Sequence, residues 1–187
     1  MRRAALLTTA IVVPVVIALL VLVNVLGDPS GSDPTADEGA PAEVDGRAPV
    51  RPEDLPVLPL DVPEVTPEAE ASCPAVMGGL PLELAGQPSR RVKSDTPYVY
   101  AWGEPPVVLT CGVDRPAGWV ATASGIQING VLWHVDTSDP ESTVWTAVDR
   151  PVYVEVRLPA GVDSAPVTAL TVPLAEALPY REPEPAP

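Results

Sequence analysis

The stretch from Ser124 to Asp136 reads SGIQINGVLWHVD and carries the clearest fold signal in the chain. Its Asn129-Gly130 dipeptide suits a two-residue type I′ turn, which joins antiparallel strands. The register that this turn imposes places three pairs opposite each other: Ile128 with Val131, Ile126 with Trp133, and Ser124 with Val135. These pairs share one face, so turn chemistry and hydrophobic pattern predict the same hairpin.

Strands dominate the middle of the chain, because apolar residues recur there at every second position. The predicted strands are Tyr98–Trp102, Val107–Cys111, Thr143–Val148 and Pro151–Leu158. One short helix is predicted over residues 73–84 and another near Pro173, where Pro179 ends it. The fold class that follows is α+β, with a small, mostly antiparallel sheet and a short helix near each end.

Composition limits the chain to one small folded domain, which we assign to residues 73–180. The 187 residues include 26 prolines and 13 glycines, and the net charge is −14. The 25 acidic residues outnumber the 11 lysines and arginines. This balance argues against a nucleic-acid partner, because phosphate binding needs clustered basic side chains.

The first 27 residues have the pattern of a signal-anchor. Ala4–Gly27 contains no charged residue and is long enough to cross the roughly 30 Å hydrocarbon layer as one transmembrane helix. Arg2 and Arg3 precede this stretch, and acidic residues follow it, so the positive-inside rule places the bulk of the chain outside the cytoplasm. The alternative is a cleaved signal peptide, although the apolar run is longer than a typical one and no A-x-A site follows.

Residues 28–72 are predicted to be an acidic, proline-rich disordered linker. They contain nine prolines and twelve acidic residues. Such a segment buries too little apolar surface to offset the entropy of ordering, and its prolines and like charges favour extended conformations. We expect it to hold the domain away from the membrane. Residues 181–187 are predicted to be a disordered tail.

Cys73 and Cys111 are the only cysteines, and the predicted topology places both outside the cytoplasm, where a disulfide persists. We expect them to pair as a structural crosslink. The alternative is a redox-active pair, but the C-x-x-C arrangement that favours exchange chemistry is absent.

Catalytic patterns are scarce in this sequence. His134, the single histidine, lies two residues before Asp136, but a base of this kind needs a nucleophile that no motif identifies. We expect both side chains to be solvated. No pattern for a metal, a phosphate loop or another cofactor occurs, whereas the many acidic residues leave carboxylate-based hydrolysis open.

Two groups of residues are candidates for binding. Trp119 and Trp145 lie in weak hydrophobic patterns, so we consider them for stacking on sugar rings or for anchoring a protein partner. Arg90, Arg91 and Lys93 form the one basic cluster of the predicted domain, and such a cluster attracts anionic wall polymers or lipid headgroups.

Several short stretches resemble the domain of unknown function family 3515. They are AWGEP at 101–105, LTCGV at 109–113, GVLW at 130–133 and RPVYVEV at 150–156, together with Cys73 and Leu80-Pro81. The resemblance implies an actinobacterial protein with an N-terminal membrane segment or lipoprotein signal. It implies no catalytic residues.

Taken together, these patterns predict a membrane-anchored extracytoplasmic protein of the cell envelope that binds a partner without catalysis. Its expected partners are the membrane, through the N-terminal helix, and an envelope protein or wall polymer. The alternatives are a small cell-wall-active hydrolase that uses acidic residues and a structural accessory of a membrane enzyme.

Overall fold

A computed structural model describes residues 54–187 of the chain. The predicted signal-anchor at residues 1–27 and the first part of the predicted linker lie outside the described residues. Between residues 54 and 187, neither helix is long and apolar enough to cross a membrane.

The sheet is antiparallel and contains eight of the ten described strands. In chain order the strands are β1 Leu58–Pro59, β2 Glu83–Leu84, β3 Gln87–Arg90, β4 Val92–Lys93, β5 Val99–Trp102, β6 Val107–Val113, β7 Ile126–Ile128, β8 Val131–Asp136, β9 Ser142–Ala147 and β10 Tyr153–Pro159. The sheet order is β2-β3-β5-β6-β10-β9-β8-β7, while β1 and β4 pair in parallel as a separate ribbon. The predicted α+β class with a mostly antiparallel sheet is confirmed.

The hairpin of β7 and β8 has the predicted register over its length. Ile126 lies opposite Trp133, and Ile128 lies opposite Val131. Asn129 and Gly130 have φ angles of 45° and 81°, which the type I′ turn requires at both central positions. The pairing ends at Ile126, so the expected Ser124–Val135 pair is not part of the ladder.

Residues 54–187 contain two helices, but the first lies earlier than the predicted one. Helix α1 spans Pro67–Gly78, and the Thr66 hydroxyl accepts a hydrogen bond from the Ala69 amide at 3.2 Å as its N-cap. The prediction over residues 73–84 misses this start, although Pro67 directly after a threonine is a strong start signal. Residues 58–72, assigned to the disordered linker, therefore contain β1 and the first half of α1. Helix α2 spans Ala165–Ala177 and includes Pro173.

A disulfide joins α1 to the centre of the sheet. The Cys73 and Cys111 sulfur atoms lie 2.09 Å apart, which confirms the predicted pairing. Gly112, with a φ of +86°, lets the helix approach, because a Cβ there would lie 2.7 Å from the Ala69 Cβ.

Strand register shows which side chains face the helices. Cys111 lies opposite Val154, Val154 opposite Ala147, and Ala147 opposite Trp133, so these buried side chains form a row on the side of α1. We call this side the inner face. The neighbouring row belongs to the opposite side, the outer face, and consists of Thr110, Glu155, Thr146 and His134.

The C-terminal residues 179–187, which we call the strap, are docked on the domain. The Arg181 amide donates to the Asp149 carbonyl at 2.9 Å, and the Ala186 amide donates to the Trp119 carbonyl at 2.9 Å. The Ala121 amide in turn donates to the Ala186 carbonyl at 2.8 Å. The expected disordered tail is thus replaced by an extended segment, which main-chain hydrogen bonds hold.

Candidate binding surfaces

The two tryptophans proposed for stacking are both buried. Trp119 is 5% exposed and Trp145 is 8% exposed, so neither offers a ring face to solvent. Trp145 belongs to the inner-face core, and Trp119 packs against the His134 ring with 5.7 Å between ring centroids. Their weak sequence patterns reflect cover by distant segments, which local periodicity does not report.

Arg90 also differs from expectation, because its guanidinium is buried. It forms an ion pair with Glu104, and its Nη atoms donate to the Gly103 carbonyl at 3.4 Å and to the Pro56 carbonyl at 3.2 Å. Only 4% of the Arg90 side chain is exposed, against 56% of the Glu104 side chain. The Glu104 carboxylate therefore lies at the surface, while the guanidinium of Arg90 is buried beside it.

Arg91 and Lys93 remain at the surface, so the predicted basic cluster is divided. Lys93 is exposed on β4, where its backbone pairs with Pro59 of β1. Arg91 is exposed and donates to the Leu55 carbonyl at 3.4 Å. Two of the three basic side chains can thus meet an anionic surface, while the third is committed to the fold.

A cleft of about 270 Å³ lies beside Glu104, and we call it the Glu104 cleft. Its apolar wall is formed by Leu84, Ala85, Pro105, Val107, Val162 and Pro166. Its polar lining consists of Gln87, Glu104 and Asp163, and the Asp163 carboxylate also accepts a hydrogen bond from the Ala165 amide. An apolar wall beside two carboxylates suits a group that is apolar in its body and positively charged at one end.

His134 is buried rather than solvated, which corrects the sequence-based expectation. It lies on the outer face beneath Trp119 and Gly118, where a Cβ on Gly118 would lie 3.0 Å from the histidine Nε2. Its Nδ1 is buried and has no hydrogen-bond partner. Asp136 is exposed as expected, and its carboxylate accepts from the Ser138 amide at 2.8 Å. The two side chains thus do not form a base and its orienting acid.

Carboxylates elsewhere on the sheet and its loops, which the hydrolase alternative would need, also have local partners. Asp139 accepts from the Glu141 amide and the Ser142 hydroxyl, and Glu155 pairs with Arg157 at 3.1 Å. Hydrogen bonds from Ser138 and from Glu141 lower the pKa values of Asp136 and Asp139. Within residues 54–187, no group of three or more potential ligand side chains could hold a metal ion.

An acidic and a basic residue form a buried pair in the loop between β9 and β10. The Asp149 carboxylate lies 3.1 Å from an Arg150 Nη, and both side chains are at most 3% exposed. Arg150 also donates to the Gly130 carbonyl at 2.9 Å, which ties this loop to the β7–β8 turn. Burial raises the pKa of Asp149 and outweighs the opposing effects of hydrogen bonding from Leu132 and of the Arg150 charge.

A second cleft, of about 140 Å³, separates this loop from the strap. The loop side is lined by Val148, Arg150, Pro151 and Tyr153, and the strap side by Arg181, Glu182 and Glu184. Asp149 Oδ1 and Arg150 Nε are buried without hydrogen-bond partners. We call this space the strap cleft.

Sequence reasoning missed Glu104 and the Asp149–Arg150 pair as candidate site residues. Asp149 and Arg150 lie between two predicted strands, but no local pattern indicates that this charged pair is buried. Glu104 gave no comparable signal, because its partner Arg90 is 14 residues away. Only the pairing of β3 with β5 brings the two together.

The family described as Protein of unknown function (DUF3515) matches residues 9–183. Neither the curated proteins nor the solved structures contain a significant match to the chain. Because the family match covers most of the sequence, the chain belongs to the DUF3515 family.

Proposed function

We propose that this member of the DUF3515 family is a membrane-tethered binding domain of the cell envelope, which acts outside the cytoplasm without catalysis. Ala4–Gly27 supplies the transmembrane anchor, and Arg2 and Arg3 set its orientation. The buried disulfide supports this location, because such bonds persist in oxidising compartments and are rare in the cytosol.

The observation that carries the binding function is the Glu104 cleft. A buried arginine fixes the Glu104 carboxylate at the rim of an apolar wall, so the charge is positioned before a partner arrives. A preorganised charge loses less conformational entropy on binding than a freely rotating side chain. The apolar wall then contributes affinity through buried area, while the carboxylates select a cation.

The partner that fits is an envelope protein with an apolar side chain next to a lysine, an arginine or a terminal amine. The basic cluster predicted an anionic wall polymer, but Arg90 is committed to Glu104. The Arg90–Glu104 pair is close to neutral, so the net negative charge of the cleft comes from Asp163, and this charge favours a cationic segment over an anionic polymer.

Membrane topology is tested with two reporters fused after Pro187. A reporter enzyme that is active only outside the cytoplasm should work, and a reporter that is active only inside should not. The reverse pattern would contradict the proposed orientation. If only the outside reporter works but the protein is released from membranes, the anchor part of the proposal fails and the location stands.

Binding is tested by placing a photo-crosslinking amino acid at Gln87, which lines the cleft and is exposed. We expect a discrete crosslinked partner in intact cells. The same amino acid at exposed Thr137, outside both clefts, is the matched control.

Glu104→Gln should lower the crosslink yield about tenfold, since a hydrogen bond to a charged group contributes about 1.5–3 kcal/mol. Glu141→Gln removes an exposed charge outside the clefts and should leave the yield unchanged. Equal yields from the Gln87 and Thr137 positions, or no effect of Glu104→Gln, would exclude this cleft as the binding surface.

A further inference from the structure

The strap is held by hydrogen bonds between main-chain atoms. Besides its bond to Asp149, the strap forms a parallel bridge between Ala186 and Val120 with hydrogen bonds in both directions. This is the geometry of strand addition, in which an extended segment pairs with exposed backbone. The strap uses only main-chain atoms of Arg181 and Ala186 in these bonds.

The side chains of the strap contribute little burial. Glu182 and Pro185 are exposed, and Arg181 and Glu184, both more than half exposed, pair with each other at 2.9 Å. Exposed ion pairs of this kind add little to stability. Release of the strap therefore costs mainly three backbone hydrogen bonds and the partial burial of Pro183 and Ala186.

The groove beneath the strap is also incompletely filled. The strap cleft remains open between the strap and the β9–β10 loop. Arg150 is 6% exposed and lines this cleft, and its buried Nε lacks a partner. Trp119, whose carbonyl accepts from the strap, likewise has a buried Nε1 without a partner. Native structures seldom leave such groups unsatisfied, so the unpaired Arg150 Nε at the wall of the open strap cleft indicates that the strap does not complete this groove.

We propose that the strap of one copy of this chain docks into the strap groove of a second copy. The groove consists of residues 119–121 and the loop 149–153. A second copy supplies the sequence that the groove already fits, and reciprocal exchange produces a closed, symmetric dimer. The strap leaves the domain at Pro179 and Tyr180, and Tyr180 is 68% exposed, so nothing buried must move for the hinge to open.

This exchange does not depend on the Glu104 cleft. The exchange depends on the local concentration of the chain, because the strap of the same domain competes for the groove at an effective concentration on the order of millimolar. In dilute solution each strap therefore returns to its own groove, and exchange between copies requires crowding in one membrane.

Two complementary variants isolate the exchange. Ala186→Pro removes the amide that donates to Trp119, so that copy has an intact groove and a defective strap. Ala121→Pro removes the amide that donates to Ala186, so that copy has an intact strap and a defective groove. Ala186→Gly and Ala121→Gly keep the amides and serve as matched controls.

Full-length chains with a donor or acceptor fluorescent protein before Met1 are incorporated together into lipid vesicles. We expect energy transfer in the Ala186→Pro plus Ala121→Pro mixture to exceed that of either variant paired with itself by about twofold, since only the mixture contains a free strap and a free groove. An excess of the free peptide 180–187 should abolish the difference. The glycine controls should behave as the wild type.

Equal transfer in all three pairings, with the disulfide and the circular dichroism of both variants intact, would overturn the proposal. If Ala121→Pro does not fold, a chain that ends at Pro179 replaces the pair: it offers an empty groove and no strap. Transfer between this chain and the wild type should exceed transfer between two truncated chains, and equality again contradicts exchange. Binding of the free peptide to the truncated chain without exchange would assign the groove to a foreign peptide instead.

Discussion

The inner and outer faces of the sheet are covered in different ways, and Trp133 and His134 show the difference within two adjacent residues. Trp133 lies on the inner face, fully buried in a core formed with both helices. His134 lies on the outer face, where the segment around Trp119 covers it. The residues are similarly buried, but regular secondary structure covers one and irregular chain covers the other.

The two kinds of cover have different energetic consequences. Helices on the inner face bury contiguous apolar side chains, and the disulfide holds α1 to β6. The segment over the outer face is held by turns and by the strap. It brings together the rings of Trp119 and His134, whose Nε1 and Nδ1 atoms are buried without hydrogen-bond partners. We infer that the inner face provides most of the stability, while the outer face can change its cover at low cost.

The largest expected effect comes from Trp133→Ala. Removing a fully buried aromatic side chain typically costs about 3–5 kcal/mol of unfolding free energy, because a cavity remains in the core. Chemical denaturation monitored by circular dichroism measures this loss. Its cross-strand neighbour Ile126 is 49% exposed, so Ile126→Ala is the control and should cost much less. Similar losses for both variants would show that the inner face is not the stabilising region.

The disulfide is expected to have the next largest effect. Cys73 and Cys111 are 38 residues apart, and a crosslink over such a loop typically stabilises by about 2–4 kcal/mol, mainly by restricting the unfolded chain. Cys111→Ser should lower the denaturant midpoint accordingly. The unmodified protein should show no titratable thiol without reduction. A midpoint unchanged by both reduction and substitution would remove the disulfide from the account of inner-face stability.

His134→Ala probes the outer face and should cost about 1 kcal/mol, within the range of ordinary substitutions. Its imidazole packs against Trp119, but the buried Nδ1 has no partner to lose. Crosslinking at the Glu104 cleft should be unchanged. A loss as large as that of Trp133→Ala would erase the contrast between the faces, and loss of cellular function in a folded, abundant variant would favour a catalytic role.

The sequence predicted the regular part of the fold well and the irregular cover poorly. The hairpin register followed from Asn129-Gly130, and the central strands followed from alternation, because both signals are local. The burial of Trp119, His134 and Arg90 was missed, because each depends on a segment that is distant in sequence. The strap was also missed, since its composition suggests disorder and only backbone hydrogen bonds hold it.

The features of the candidate surfaces could likewise be predicted only where their sequence signal is local. The disulfide could be predicted from two cysteines and a topology. The Glu104 cleft could not be predicted, because its lining residues meet only when β3 pairs with β5 and the start of α2 packs beside them. Arg90 was selected for its charge, but its side chain is buried and paired with Glu104, so its positive charge is not available at the surface.

The smallest expected effect is a pH dependence at the loop beside the strap. Burial raises the pKa of Asp149 above its usual value of 3.8, so the native state binds this proton more tightly than the unfolded state does. The resulting stability is fully present below about pH 3.8 and is lost as the pH rises through the raised pKa. The Asp149→Asn variant has no titratable group at this position, so it does not lose this stability as the pH rises.

The measurement is the difference in unfolding free energy between wild type and Asp149→Asn, followed from acidic to neutral pH. Asp136 and Asp139 have lowered pKa values and contribute the opposite slope, but they are present in both chains and cancel in the difference. We expect the wild type to lose stability relative to the variant as the pH rises. If the wild type instead gains unfolding free energy relative to the variant as the pH rises, Arg150 stabilises the charged carboxylate more than burial disfavours it. The Asp149–Arg150 pair would then hold the loop in place, and the loop would not be an adaptable wall of the strap cleft.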